Sequence, residues 1–230
     1  MTTRLQTIKE ELAINIGSLT LRGDLLVPEM ASGIVIFAHG SGSGRLSPRN
    51  QFVADVIRRR NIGTLLFDLL TEEEESIDIH TRHLRFDIPM LAERLIAVAK
   101  WTGEQEDTRQ LRQGFFGAST GAGAALVAAA EIGSGIGAVV SRGGRPDLAG
   151  QALEQVRSPV LLIIGEDDEP VIIMNQEAYE KLHSVKEIKI VPGATHLFEE
   201  PGTLETAADL AADWFERYLS AGNKSIGRSN

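Results

Sequence analysis

Residues 114–123 read GFFGASTGAG, which sets Ser119 between Gly117 and Gly121 at the spacing G-x-S-x-G, after a β-rich run and before an alanine-rich one. On a sharp strand-to-helix turn the two glycines let the backbone fold back without a Cβ clash, and the serine hydroxyl is left exposed at a sheet edge. The free N–H groups and the positive end of the following helix face the same place. Standing alone, the motif fits an inert small-residue connection equally well. A serine hydroxyl becomes a nucleophile only with a base within hydrogen-bond reach and a further group that orients the base.

Five histidines are available. His196, in VPGATHLFEEPG, lies between the last predicted strand and the last predicted helix, where an α/β sheet presents side chains at its carboxyl edge, and it is the expected base. His183 falls late in a helix and reads as a surface residue, His80 and His83 sit in an acidic stretch, and His39 ends a strand and reads as a loop organiser. The acid is expected from PVLLIIGEDDEPV, where Glu166, Asp167 and Asp168 follow an apolar strand. Asp168 is favoured because the chain needs a few residues to turn after Gly165 before Pro170 and Val171; Asp167 is the alternative, and a solvated charge cluster is the inert one. The order Ser119, Asp168, His196 is one known order of a serine triad. The oxyanion of an acyl-transfer intermediate also needs two N–H donors. Thr120, directly after the nucleophile, supplies one; Ser41, or else Gly42, supplies the other from the small-residue loop HGSGSG.

The elements that must hold these residues follow from periodicity. LAINIG and LTLRGDLLVP alternate and are separated by Gly17 and Ser18, which predicts an N-terminal antiparallel hairpin. Short apolar runs then alternate with helical segments, the pattern of an α/β fold with a mostly parallel sheet and helices on both faces. Strands are predicted at 33–38, 63–67, 114–116, 138–141, 160–164 and 188–191, and helices near 48–60, 88–101, 120–131, 172–182 and 204–219. Ile88, Leu91, Leu95, Val98 and Trp101 share one helical face, with Asp87 as its N-cap. The acidic stretch 71–83 reads as a solvated, mobile loop, or as the rim of a binding crevice.

A chain of 230 residues, 43% hydrophobic and 24% charged, suits one soluble domain, expected over 1–220 with a frayed polar tail at 221–230. Its net charge of -9 argues against nucleic acid as a partner. Without cysteine there is no thiolate nucleophile and no sulfur-ligated metal, and the mechanism implied needs no cofactor. No apolar run approaches the roughly 20 residues of a membrane span, and the first residues do not read as a signal peptide, so a cytoplasmic protein is expected.

With IVIFAHGSGSG, GFFGASTGAG, LLIIGEDDEPV and VPGATHLFEEPG on the page, the chain resembles the α/β-hydrolase fold, and within it the dienelactone hydrolase-like family, over almost its whole length. The resemblance implies a nucleophile at Ser119, an acid at Asp168, a base at His196 and oxyanion donors at Ser41 and Thr120. Serine stands here where dienelactone hydrolases carry cysteine. A small ester or lactone is the expected substrate; a thioesterase, a peptidase and a non-catalytic binding module of the same fold are the alternatives. Arg142 and Arg145, in SRGGRPDLAG after a predicted strand, are candidates to pair with an anionic group of the substrate.

Overall fold

Alternation of polar and apolar residues gives Ile8–Ile16 (β1) and Leu19–Val27 (β2), which pair antiparallel across a turn made by Gly17 at φ 60°. The computed structural model describes residues 8–220, so the segment 221–230 and the first residues of the expected 1–220 domain lie outside the described residues. The next strands are apolar at nearly every position. Gly33–Ala38 (β3), Gly63–Phe67 (β4), Ile136–Arg142 (β6) and Val160–Gly165 (β7) are buried throughout, as expected of parallel strands covered on both faces. Arg112–Ala118 (β5) and Lys186–Val191 (β8) complete an eight-stranded sheet in the order β1-β2-β4-β3-β5-β6-β7-β8. The β1–β2 and β2–β4 pairs are antiparallel and the rest parallel. After β3 the chain first pairs on one side, with β4, and then on the other, with β5. Such a reversal opens a crevice at the carboxyl ends of the two central strands, and there the loops after β3 and β5 meet.

Pro48–Arg58 (α1) and Thr203–Leu219 (α6) cover one face, with a core that includes Phe37, Ile57, Phe116 and Phe215. Ile88–Glu104 (α3), Thr120–Ile132 (α4) and Glu169–Lys181 (α5) cover the other, over Ile36, Leu95, Leu126 and Leu162. The Asp87 side chain caps α3 by accepting the Met90 N–H at 3.1 Å.

One expectation fails. The acidic stretch 71–83 is no solvated loop: Glu72–Thr81 is a helix (α2), numbered here in chain order between α1 and α3. Thr71 and Glu74 form a capping box, with the Glu74 N–H on the Thr71 hydroxyl at 3.2 Å and the Thr71 N–H on Glu74 Oε2 at 2.9 Å. Four glutamates in its first turn face the positive end of the helix dipole. Arg94 of α3 then clamps Glu74 with two bonds, at 2.6 and 2.5 Å, and also donates to the Leu69 carbonyl. Asp78 is fully buried and pairs with Arg85 while accepting the Leu84 N–H at 2.8 Å. Burial alone would raise its pKa, but the Arg85 guanidinium and the backbone donors outweigh burial and hold the carboxyl below its ordinary value. The capping box is a local signal, but the anchorage depends on Arg94, twenty residues from Glu74, and on Arg85, seven from Asp78.

Candidate active site

Ser119 joins β5 to α4 with φ 49° and ψ −122°, a conformation that costs a non-glycine residue roughly 1–3 kcal/mol. Packing imposes it. A β-carbon on Gly117 would lie 2.4 Å from Ala122 Cα, and one on Gly121 would lie 2.2 Å from the Ala38 carbonyl oxygen, so only glycine lets strand, turn and β3 approach this closely. The Ser119 N–H donates to the Arg142 carbonyl at 3.3 Å, and its own carbonyl accepts the N–H groups of Ala122 and Arg145 at 3.1 and 3.0 Å. Backbone bonds thus fix the turn on both sides and leave the hydroxyl to the half-buried surface.

Asp168, in the N-cap position of α5, and His196, in the loop between β8 and α6, are brought together: Asp168 Oδ2 accepts from His196 Nδ1 at 2.7 Å. A carboxylate only accepts, so in the neutral ring it is Nδ1 that carries the proton and Nε2 that keeps a free lone pair. The Asp168 side chain is 12% exposed and that of His196 38%, which places the acid behind the ring. Asp167 is exposed, and it contributes its N–H to the Ala194 carbonyl at 2.9 Å. Glu166 Oε2 accepts the Gly193 N–H at 3.0 Å, so the two remaining acids tie the acid loop to the histidine loop. A β-carbon on Gly143 would lie 3.7 Å from His196 Nδ1, which sets the imidazole beside the end of β6, the same segment that receives the Ser119 N–H.

On the opposite side of the crevice, His39 organises the loop after β3. Its Nε2 accepts the Leu69 N–H at 3.0 Å and its Nδ1 donates to the Gly40 carbonyl at 2.9 Å. Burial pulls its pKa below the ordinary value for histidine, with the Gly40 bond opposing. Ser41 and Thr120 are neighbours, but the Ser41 N–H is taken: it donates to the Thr120 hydroxyl at 3.0 Å. A cavity of about 680 Å³ opens beside them, between the loop 41–47 on one side and Glu72, Glu75 and Ile79 of α2 on the other. The alternative reading of 71–83, a rim on the crevice, is where the structure puts it. Arg85, which the sequence reading passed over, lines a smaller recess together with Ser41 and Thr120. Its only advance signal is the acidic stretch that precedes it. The two arginines that the sequence raised part company: Arg145 binds Asp147, and Arg142 is buried between Phe116 and Phe198. No helix among the described residues is long and apolar enough to cross a membrane.

Residues 52–221 match the dienelactone hydrolase family. The chain belongs to that family. A dienelactone hydrolase from Anabaena variabilis ATCC 29413 is 55% identical, with a TM-score of 0.91 over 93% of this chain and 99% of that one. Est1E from Butyrivibrio proteoclasticus is 14% identical, with a TM-score of 0.75 over 90% of this chain and 98% of that one, and shows a shared fold. Proteins from Mycobacterium tuberculosis strains CDC 1551 / Oshkosh and H37Rv, provisionally named phosphoribosyl transferases, are 54% identical over 210 residues. That match covers 91% of this chain but 46% of each relative, so the chain spans under half the length of these curated relatives. The chain is thus a member of the dienelactone hydrolase family with the α/β-hydrolase fold.

Proposed function

We propose that the chain is a serine hydrolase that cleaves a small carboxylic ester or lactone through an acyl-enzyme. The observation that carries this reading is the 2.7 Å bond from His196 to Asp168 at the sheet edge where Ser119 sits on its strained turn. Ser119 Oγ attacks the acyl carbon while His196 Nε2, the nitrogen left free by Asp168, takes the hydroxyl proton. The same nitrogen then returns the proton to the leaving oxygen. Water repeats the sequence and frees the acid. Asp168 holds the ring in this tautomer and stabilises the imidazolium formed in each half-reaction.

The backbone N–H of Thr120, at the start of α4, is the first oxyanion donor in this reading, and that of Ser41 is the second. The substrate oxygen takes the place of the Thr120 hydroxyl on the Ser41 N–H, exchanging one hydrogen bond for another. The cavity beside α2 receives the acyl or leaving group, and its size suits a small molecule. The transferase name of the longer relatives is not carried over, because the region that they share with this chain is the one that matches a hydrolase family.

A fluorophosphonate labels Ser119 if the serine is activated and leaves it unlabelled in a binding module of the same fold. A panel of p-nitrophenyl esters, aryl thioesters, lactones and peptide amides, run beside Ser119→Ala, separates ester and lactone cleavage from thioesterase and peptidase activity. Ester turnover undiminished in Ser119→Ala would falsify the assignment.

A further inference from the structure

Arg145 gives Nε and Nη2 to the two carboxylate oxygens of Asp147 at 2.8 and 2.7 Å and so has its counterion. Arg142, three residues earlier, is 8% exposed, and its Nε and Nη1 have no hydrogen-bond partner. Among the described residues no carboxylate forms an ion pair with it; its polar contact is Nη2 to Asn50 Oδ1 at 3.5 Å. The rings of Phe116 and Phe198 lie 5.9 and 5.8 Å from the guanidinium carbon. Ring faces attract a cation less strongly than burial penalises it. Burial and the repulsion of Arg49 push the guanidinium down to about 10, which leaves it charged at neutral pH. A buried cation without a counterion calls for an anion.

The surroundings of Arg142 supply the rest of an anion site. Asn50 and Arg49 belong to the first turn of α1, where Pro48 has no N–H and Ser47 Oγ takes that of Asn50, so the turn brings its positive dipole end and a second guanidinium beside the first. Phe198 belongs to the histidine loop, and so does Glu199, which accepts from Arg49 Nη1 at 2.9 Å. This exposed pair spans the same two segments that flank Arg142. Through its carbonyl Arg142 also receives the Ser119 N–H, so the cation sits on the strand end that contacts the nucleophile turn.

We propose that Arg142, Arg49 and the first turn of α1 form a phosphate-type dianion site, so that the hydrolase acts on esters that carry a phosphate group, with Glu199 occupying Arg49 while the site is empty. Two guanidiniums and a helix N-terminus exceed what one monoanion neutralises, and a dianion is the better exchange for the released Glu199. The substrate class rests on the ester hydrolase reading above; the anion site does not.

The test is isothermal titration of the full chain with inorganic phosphate and, separately, with acetate, which needs no turnover. Wild type binds phosphate at least tenfold more tightly than acetate; Arg142→Met loses at least tenfold in phosphate affinity, Arg142→Lys an intermediate amount, and Glu199→Gln gains severalfold. If Arg142→Met does not fold, Arg142→Lys and Glu199→Gln carry the test. In kinetics, the preference for a phosphate-bearing aryl ester over its neutral isostere, read as a ratio of KM values, collapses in the Arg142 variants. A merely structural Arg142 would lower both esters together and leave that ratio in place. No phosphate binding to wild type, equal affinity for acetate, or phosphate affinity unmoved by the Arg142 and Glu199 variants overturns the proposal. Fluorophosphonate labelling of Ser119 in the same preparation shows independently whether the hydrolase reading stands.

Discussion

At Ser119 the backbone is forced to φ 49° by glycines that admit no β-carbon, whereas across the crevice the Ser41 backbone is exposed and its N–H is held by one side-chain hydroxyl. The first arrangement is steric, and nothing a ligand does relaxes it. The second rests on one hydrogen bond, worth about 1 kcal/mol net, which an incoming oxygen replaces. In the proposed mechanism, nucleophile geometry is thus set in the resting protein, while the facing donor changes partner when substrate arrives. Asp168 and His196, the proposed acid and base, fall on the fixed side, since they are already bonded.

The strongest way to break this contrast is Ser119→Ala. Turnover of p-nitrophenyl acetate, followed by steady-state absorbance, is expected to fall by more than about 10³-fold while the melting temperature stays close to wild type. Asp168→Asn comes next, with kcat down by about 10² to 10⁴ because the ring loses its tautomer, and Asp167→Asn is the control that stays near wild type. Equal losses in the two variants would mean that the 2.7 Å bond does not orient the base.

Gly121→Ala probes the steric side through stability. Its β-carbon would meet the Ala38 carbonyl oxygen at 2.2 Å, so urea unfolding should show a loss of at least about 2 kcal/mol. The pH dependence of stability probes the loop after β3. Because burial holds folded His39 below its ordinary pKa, the unfolded chain takes up the proton first as pH falls. The stability that His39 contributes is complete above about pH 6.5 and is lost progressively as pH drops toward the folded value. The urea midpoint measured from pH 8 to 5 should decline, and more shallowly in His39→Gln.

The smallest effect is expected at Thr120→Val, which frees the Ser41 N–H without removing it. A fall in kcat of less than about tenfold fits a resting placeholder, because loss of a true oxyanion donor typically costs about 10² or more. A larger fall would assign the oxyanion contact to the Thr120 hydroxyl itself.

The sheet and the fixed side were legible because their determinants are local. Continuous apolar runs gave the buried strands, Asp87 gave the start of α3, and the short turn from Gly165 pointed to Asp168 over Asp167. For the helix after Thr71 the T-x-x-E capping box is a local signal, but its anchorage is not. Glu74 owes its clamp to Arg94 and Asp78 owes its burial to Arg85, and a run of glutamates looks the same with or without such partners. Arg142 and Arg145 could not be told apart either. Their separation depends on Asp147 lying within reach of one and on two phenylalanines from distant segments enclosing the other.

Bolting α2 to α3 through Arg94 has a practical outcome for redesign. Glu74 and Asp78, which fasten the helix, and Glu75 and Ile79, which line the cavity, each recur at a spacing of four, so anchorage and lining run along two neighbouring stripes of one short segment, with Glu75 also 3.8 Å from Arg85. A library confined to Glu72, Ser76 and Ile79 therefore reshapes the cavity on a wall that stays put.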